Sequence, residues 1–340
     1  MLIDVISSYK FSRESDFVFS EVVTKEQFKD LDLKDITVLY NNDSHICYQS
    51  NFLRVSNGDV IFSTNTALNN LFHLVRKTDA KNLVLITNQT DDNISKHLFN
   101  KLPENFSKWF SINVNYSDNK LISIPLGFAN GYEKNLTIAH DKIDLDIANY
   151  KYRKKNLLYL SFQENTNIRK RYGLKQHFKK YNWTKIADNS NSLKSYNDDL
   201  KTSNFVLCPE GNGIDTHRVW ETLYNGSIPV IEKQKGLNAF KSLPILYVDS
   251  FYEVNEKVLT SYLDNLKIDD LRMLDFKYWK SLIFENLANE SKEFSVSLNN
   301  MYFKYTLIKQ MLVNKFLKAK NGYYRILYKF IRKLNIQIKK

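Results

Sequence analysis

The sequence predicts an α/β protein of two halves, each a parallel sheet covered by helices, with a cleft between them and a basic helical tail behind. Three observations carry this. Short apolar runs alternate with helical patterns, once over 36–124 and again over 156–249. The chain has 340 residues, about two domains at roughly 150 residues each. Its charge is lopsided: residues 301–340 hold eleven Lys/Arg and no Asp or Glu, leaving 38 basic and 37 acidic residues in the first 300.

The elements follow in chain order. Thr24 and Gln27 form a helix capping box, opening a short helix near 25–31. The runs at 36–40 and 60–63 read as buried strands. Leu68, Leu71, Phe72 and Val75 recur at helical spacing in 67–77. The run Asn-Leu-Val-Leu-Ile-Thr at 82–87 is a strong buried strand, followed by a helix over 94–101 that stops before Pro103. Further strands are expected at 111–114 and 121–124. Residues 131–156 are charged and end in a basic run at 151–155, which reads as the connection between domains or as a solvated helix. A second set follows. Strands are expected at 156–161, 204–208, 228–231 and 245–249, and helices at 168–180, 193–201 and 216–225. Helical patterns continue to about 300. The plain reading is two Rossmann-like domains facing a cleft, where ligands bind.

Composition excludes several classes. Apolar residues are 43% and charged residues 25%, both ordinary for a globular protein. Cys47 and Cys208 are too few for a disulfide framework or a four-Cys zinc site, and fit a reducing compartment. A nearly neutral body argues against a nucleic-acid groove, so no nucleic-acid partner is expected. No stretch reaches eighteen uninterrupted apolar residues, so no transmembrane helix is expected. Asp4 interrupts the apolar N-terminus, which does not read as a signal peptide. The expected location is cytoplasmic, with peripheral contact at the cytosolic membrane face.

The chemistry concentrates in residues 203–232. A buried strand ends at Cys208, and Pro209 stops it. Gly211 and Gly213 flank Asn212 and permit a tight turn with exposed backbone N–H groups. A helix starts at Asp215 or Thr216, either a good N-cap. Ligands of open α/β sheets sit at the carboxyl ends of strands, and a helix N-terminus there favours anions. Val219 and Leu223 share one helix face, while Arg218, Glu221 and Thr222 share another. Arg218 sits in the first turn, where the helix dipole disfavours a cation unless an anion is bound. Its planar fork suits a diphosphate, and Glu221, one turn deeper, suits ribose hydroxyls. The plain alternative is an Arg218–Glu221 salt bridge beside an ordinary turn.

This segment resembles the signature of exostosin-type glycosyltransferases. The matching residues are Cys208-Pro209-Glu210-Gly211, then Thr216-His217-Arg218-Val219-Trp220-Glu221, then Gly226-Ser227-Ile228-Pro229-Val230. A weaker similarity extends over 82–128, including Ile-Pro-Leu-Gly-Phe at 124–128. The resemblance implies a GT-B fold, a nucleotide-diphosphate sugar as donor, and inversion at the anomeric carbon. It implies that Arg218 contacts the diphosphate and Glu221 the ribose, within a donor site of Glu210, Gly211, Asn212, Gly213, Thr216, His217, Arg218 and Glu221. The expected division is then 1–150, acceptor-side domain with its linker; 151–265, nucleotide-sugar-binding domain; 266–300, helical segment; 301–340, basic amphipathic tail. Animal exostosins are membrane-anchored, so this chain points instead to a cytosolic hexosyl- or related sugar transferase of surface-polysaccharide synthesis, acting on a glycan or lipid-linked acceptor. Two alternatives stand beside it: a fucosyltransferase-like GT-B enzyme, whose Tyr-x-Thr-Glu-Lys run is lacking here, and a non-enzymatic nucleotide- or glycan-binding module.

An inverting transferase needs a general base. Asp91, with Asp92 beside it, follows the strand at 82–87 and is the first candidate; Asp43 and His45 follow the strand at 36–40 and rank below it. His217 reads as a residue near the phosphate rather than a base, because its neighbours on the helix point elsewhere. Cys208 reads as inert core, and Trp220 as packing. Asp144-Leu-Asp146 is an Asp-x-Asp that would bind a metal-nucleotide in other transferases, but it lies in the charged connection. No His/Cys/carboxylate cluster has metal spacing, so no metal and no cofactor are expected.

The tail interleaves Lys/Arg with aromatic and aliphatic residues, which suits an anionic membrane surface; its alternative is a helix packed on the N-terminal domain. Near such a surface each Lys or Arg is worth about 1 kcal/mol. A chain ending near 320 should therefore bind anionic liposomes more weakly in a sedimentation assay while staying folded. Aggregation on truncation would assign the tail to core packing.

Overall fold

A computed structural model describes residues 1–31, 34–128, 142–188, 192–268, 270–284 and 292–298. The fold is mixed α/β with two five-stranded parallel sheets. The N-terminal sheet runs Leu121–Ser123, Phe106–Ser111, Leu83–Thr87, Val60–Ser63, Phe17–Val18, every neighbouring pair parallel. The C-terminal sheet runs Thr184–Ile186, Asn156–Leu160, Ser203–Leu207, Ile228–Glu232, Leu246–Val248, also parallel throughout.

Numbered along the chain, the C-terminal strands stand in the order 2-1-3-4-5. That order reverses direction between Asn156–Leu160 and Ser203–Leu207. A crevice opens at such a switch point, outside the carboxyl ends of the two strands, and is where doubly wound sheets take ligands. The loops at that point are 161–167 and 208–216.

Leu83 and Leu85 join a core beneath helix Leu68–Val75, while Val84 and Ile86 join a second core with Ile3, Ile6 and Phe11 and the residues of the C-terminal sheet. The strand's period of two thus assigns one face to each core. The inner face of the N-terminal sheet and the C-terminal sheet share one continuous set of buried apolar residues.

Several expectations need correction. The run at 36–40 is not in the parallel sheet. Ile36–Asn41 is the edge of an antiparallel sheet with His45–Ser50 and Ser20–Thr24, and Val38 and Tyr40 are 45% and 43% exposed. The strand expected at 111–114 lies earlier, at Phe106–Ser111, where Ser107 and Lys108 break the apolar run. The helix expected over 168–180 is two, Ile168–Arg171 and Leu174–Phe178, split at Gly173 with φ +80°. Of the connection at 131–156, residues 142–156 include a strand, Lys142–Asp144, paired antiparallel with Leu2–Asp4, and a short helix, Ala148–Lys151. Helices Glu256–Asp264 and Phe276–Phe284 fit the helical pattern toward 300, but Glu293–Ser297 is a strand paired with Phe52–Ser56 in the N-terminal half. The tail at 301–340 lies outside the described residues. Among the described residues no helix is long and apolar enough to cross a membrane.

Candidate functional site

The switch-point loop is short and held from below. Gly211 N–H donates to Gly213 O at 3.1 Å, closing the tight turn. The Arg171 guanidinium, 5% exposed, donates through Nε to Glu210 O at 2.8 Å, through one terminal nitrogen to Pro209 O at 3.1 Å, and through the other to Gln163 O at 3.1 Å. Asn167 Nδ2 donates to Gly211 O at 2.8 Å. Residues from the helix after the first strand thus fasten the carbonyls of 209–211, which leaves the loop's shape fixed before any ligand arrives. In the sequence Arg171 reads as one of three basic residues in a row, and only its burial distinguishes it.

The loop is also held from across the seam. Asn113, at φ +53°, accepts from Asp215 N–H through Oδ1 at 2.8 Å and donates through Nδ2 to Thr90 O at 3.0 Å. A Cβ on Gly213 would come within 2.8 Å of that amide, so any larger residue would push the Asn113 side chain off its two bonds. The crevice beside it, between Ile124 and Phe240, retains about 10 Å³, room for no more than one water. His217 Nδ1 lies 2.7 Å from Gly127 O, placing the Ile-Pro-Leu-Gly-Phe stretch directly against the signature helix. Gly127 has φ +66°, and a Cβ there would meet Ile6 O at 2.2 Å.

Helix His217–Tyr224 begins at N-cap Thr216, whose side chain makes no capping bond. Its Oγ1 and the Arg218 Nε are buried with no hydrogen-bond partner. Arg218 and Glu221 form no ion pair among the described residues; Glu221 Oε2 instead accepts from Tyr196 O–H at 2.7 Å. Burial and that carboxylate push the Tyr196 phenol well above its ordinary value. Arg218 also lies close enough to Arg171 for each cation to oppose the other. Burial, then Arg218, lowers Arg171 to about 10. A guanidinium with an unpaired buried donor in the first turn of a helix, and a second guanidinium near it, are the chemistry of an anion site.

The remaining residues take other partners. Glu210 is ion-paired with Lys170 at 3.1 Å and accepts from Gln234 Nε2. Asn212 is exposed at the tip of the turn. Cys208 is buried and bonded to Thr222, with its thiol pushed up to about 12 by burial, so it is inert core. Trp220 is fully buried against Phe240. Asp91 is exposed on the loop after Leu83–Thr87, whose Thr90 carbonyl Asn113 links to Asp215. Its neighbour Asp92 is raised by partial burial and by Asp91. Asp43 and His45 bound a hairpin turn in the antiparallel sheet, where Asn42 Oδ1 accepts from Ser44 N and His45 N. That is turn chemistry. Asp144, exposed in the strand Lys142–Asp144, accepts from the Met1 amino group at 2.8 Å and so helps to tie that strand to Leu2–Asp4, while Asp146 Oδ1 accepts from Ala148 N within its own turn. Among the described residues no group of three or more His, Cys, Asp or Glu is placed to hold a metal ion.

Asp215 is the seam's buried acid. Its carboxylate accepts from Leu126 N at 2.9 Å and from Trp220 Nε1 at 2.9 Å. Burial nonetheless outweighs these bonds and raises it to about 7. A folded state that holds this proton more tightly than the unfolded chain loses stability as pH rises from about 4 to about 7. The contribution of Asp215 should be a fall of roughly 3–4 kcal/mol over that range in urea titrations; Glu21, also raised by burial, adds in the same sense, and Asp215→Asn should flatten the slope by the Asp215 share. Arg171→Lys keeps the charge and loses the fork, a substitution that is not conservative at such a site. It should lower the urea midpoint, because buried carbonyls of 163, 209 and 210 lose donors, and should weaken nucleoside diphosphate binding about tenfold by calorimetry while the protein is still folded. Unchanged affinity would mean that the loop does not depend on the fork.

One comparison bears on this half of the molecule. Residues 146–270 match the family model described as RXYLT1 C-terminal domain, a xylosyltransferase-related, exostosin-like family. The match spans the whole C-terminal sheet and both loops of its switch point, but not Asn113 and Gly127, which hold the site from the other half. No curated protein matches the chain. The likeness partly supports the exostosin-type resemblance and suggests a glycosyltransferase-type function.

Proposed function

We propose that the protein is an exostosin-type glycosyltransferase with two Rossmann-like domains in a GT-B arrangement. It transfers a sugar from a nucleotide-diphosphate sugar to a glycan or lipid-linked acceptor in surface-polysaccharide synthesis. One observation carries the reading: Thr216 Oγ1 and Arg218 Nε are buried without partners at the N-terminus of His217–Tyr224. Leaving such groups unpaired costs about 1–3 kcal/mol each. An anion satisfies both at once, together with the first helix N–H groups.

In this reading Arg218, Thr216 and the amides of 212 and 213 grip the diphosphate, and Glu221 takes the ribose hydroxyls. As the bond from the anomeric carbon to the diphosphate breaks, negative charge grows on the leaving group, and the same donors stabilise it. The acceptor oxygen attacks from the opposite face and gives its proton to a carboxylate across the seam. We assign that role to Asp91, because its loop is tied to 213–215 through Asn113. The transfer is inverting and independent of metal, and the basic segment 301–340 holds the enzyme at an anionic membrane surface. The xylosyltransferase-related likeness makes UDP-xylose the first donor to screen.

Arg218→Ala should stay folded and weaken nucleoside diphosphate binding at least tenfold, the effect of losing about 1.5–3 kcal/mol of charged hydrogen bonding. Transfer should survive EDTA. Unchanged affinity in a folded variant would assign Arg218 to structure, and loss on chelation restored by Mn²⁺ would transfer the diphosphate to a metal.

A further inference from the structure

A second cavity, of about 230 Å³, opens at the other end of the C-terminal sheet. Asn156, Thr184 and Asn204, at the amino ends of three adjacent strands, stand in its wall. The donor loop leaves the carboxyl end of the five-residue strand Ser203–Leu207. At about 3.3 Å per residue the two sites are roughly 16 Å apart, so they are separate.

The wall is basic. Arg153, Lys154 and Lys155, from the run 151–155, all line it. Lys154 Nζ is anchored, donating to Gly226 O at 2.6 Å and Ser227 Oγ at 2.8 Å. Burial lowers it to about 8, which leaves it charged at neutral pH. Arg153 pairs with Asp264 at 2.8 Å across an exposed contact, a weak constraint on either side chain. Lys155 is exposed and has no carboxylate partner among the described residues. Against these cations the lining carries one acid, Glu256. Trp183 adds an aromatic wall, and Asn182 adds an amide that can both donate and accept.

We infer that this cavity binds one acidic sugar unit, carrying a carboxylate or a phosphate. The cations answer the anion, the Asn182 amide answers ring hydroxyls while Asn204 is committed to Tyr152 O and Lys154 N–H, and the indole covers an apolar ring face. The volume is below the about 300–1,000 Å³ of pockets for drug-sized ligands, which suits a single ring. Under the transferase reading the site holds a unit of an acidic chain away from the donor, but the binding itself does not rest on that reading.

The test titrates the full chain with glucuronate, glucose 6-phosphate, glucose and inorganic phosphate, followed by NMR shifts of the Trp183 indole. Both acidic sugars should bind, with glucose and phosphate at least tenfold weaker. Lys155→Glu should weaken glucuronate about tenfold and leave nucleoside diphosphate binding unchanged, and Asn182→Ala should weaken it as well. Arg218→Ala should leave glucuronate binding intact, so failure here and failure of the donor-site reading are read separately. Absence of binding by both acidic sugars overturns the inference. So does equal binding of inorganic phosphate, or indifference of glucuronate to both variants at the cavity.

Discussion

The candidate site depends on the backbone of residues 209–215, which is shared between two supports. Arg171 and Asn167 hold its carbonyls from below, and Asn113 holds its 215 amide from across the seam. A loop that borrows its shape from both sheets does not have to be organised by its ligand. Binding energy that would otherwise order the loop remains for the ligand. The arrangement also couples the halves: Asn113, His217 and the Leu126–Asp215 bond join the N-terminal half directly to the loop and helix that carry Arg218.

Four of the five strands of the C-terminal half were legible in the sequence because they are largely apolar and buried, as a parallel sheet requires; the fifth, Thr184–Ile186, is a half-buried edge of Thr, Lys and Ile and was not expected. Ser203–Leu207, Ile228–Glu232 and helix Leu193–Lys201 fall within a residue of their expected places. The capping box at Thr24 and Gln27 is present with both reciprocal bonds. The antiparallel sheet was not legible. Its strands at Ile36–Asn41 and His45–Ser50 are mixed in polarity, and the Asn-Asn-Asp-Ser turn between them resembles the loop after a parallel strand. Nor does local sequence show that Glu293–Ser297 returns to the N-terminal half, since the pairing partner lies more than two hundred residues away.

The site itself was half legible. Glycines, helix start and Arg218 could be placed because strand, turn and helix are local features. Arg171 and Asn113 could not, because their roles exist only through tertiary contact. Asp215 shows the same limit: the sequence offers it as a helix cap, whereas its side chain reaches back to Trp220 and across to Leu126, and the cap position falls to Thr216.

Electrostatics complete the argument. Three carboxyl groups lie within the signature, and each is kept from neutralising Arg218. Glu210 is committed to Lys170, Glu221 to Tyr196, and Asp215 to Trp220 and Leu126. Burial raises Asp215 to about 7, so that near neutrality much of its charge is suppressed. Arg171 spends its donors on neutral carbonyls, which orient the guanidinium without cancelling it. The result is local positive charge at the first turn of a helix, where the dipole adds to it. Burial, and after it Arg218, lowers Arg171, so the two like charges oppose each other there. An anion against the loop 208–218 would relieve that opposition, which is why we propose this loop, rather than the more exposed basic run at 151–155, as the place for a diphosphate.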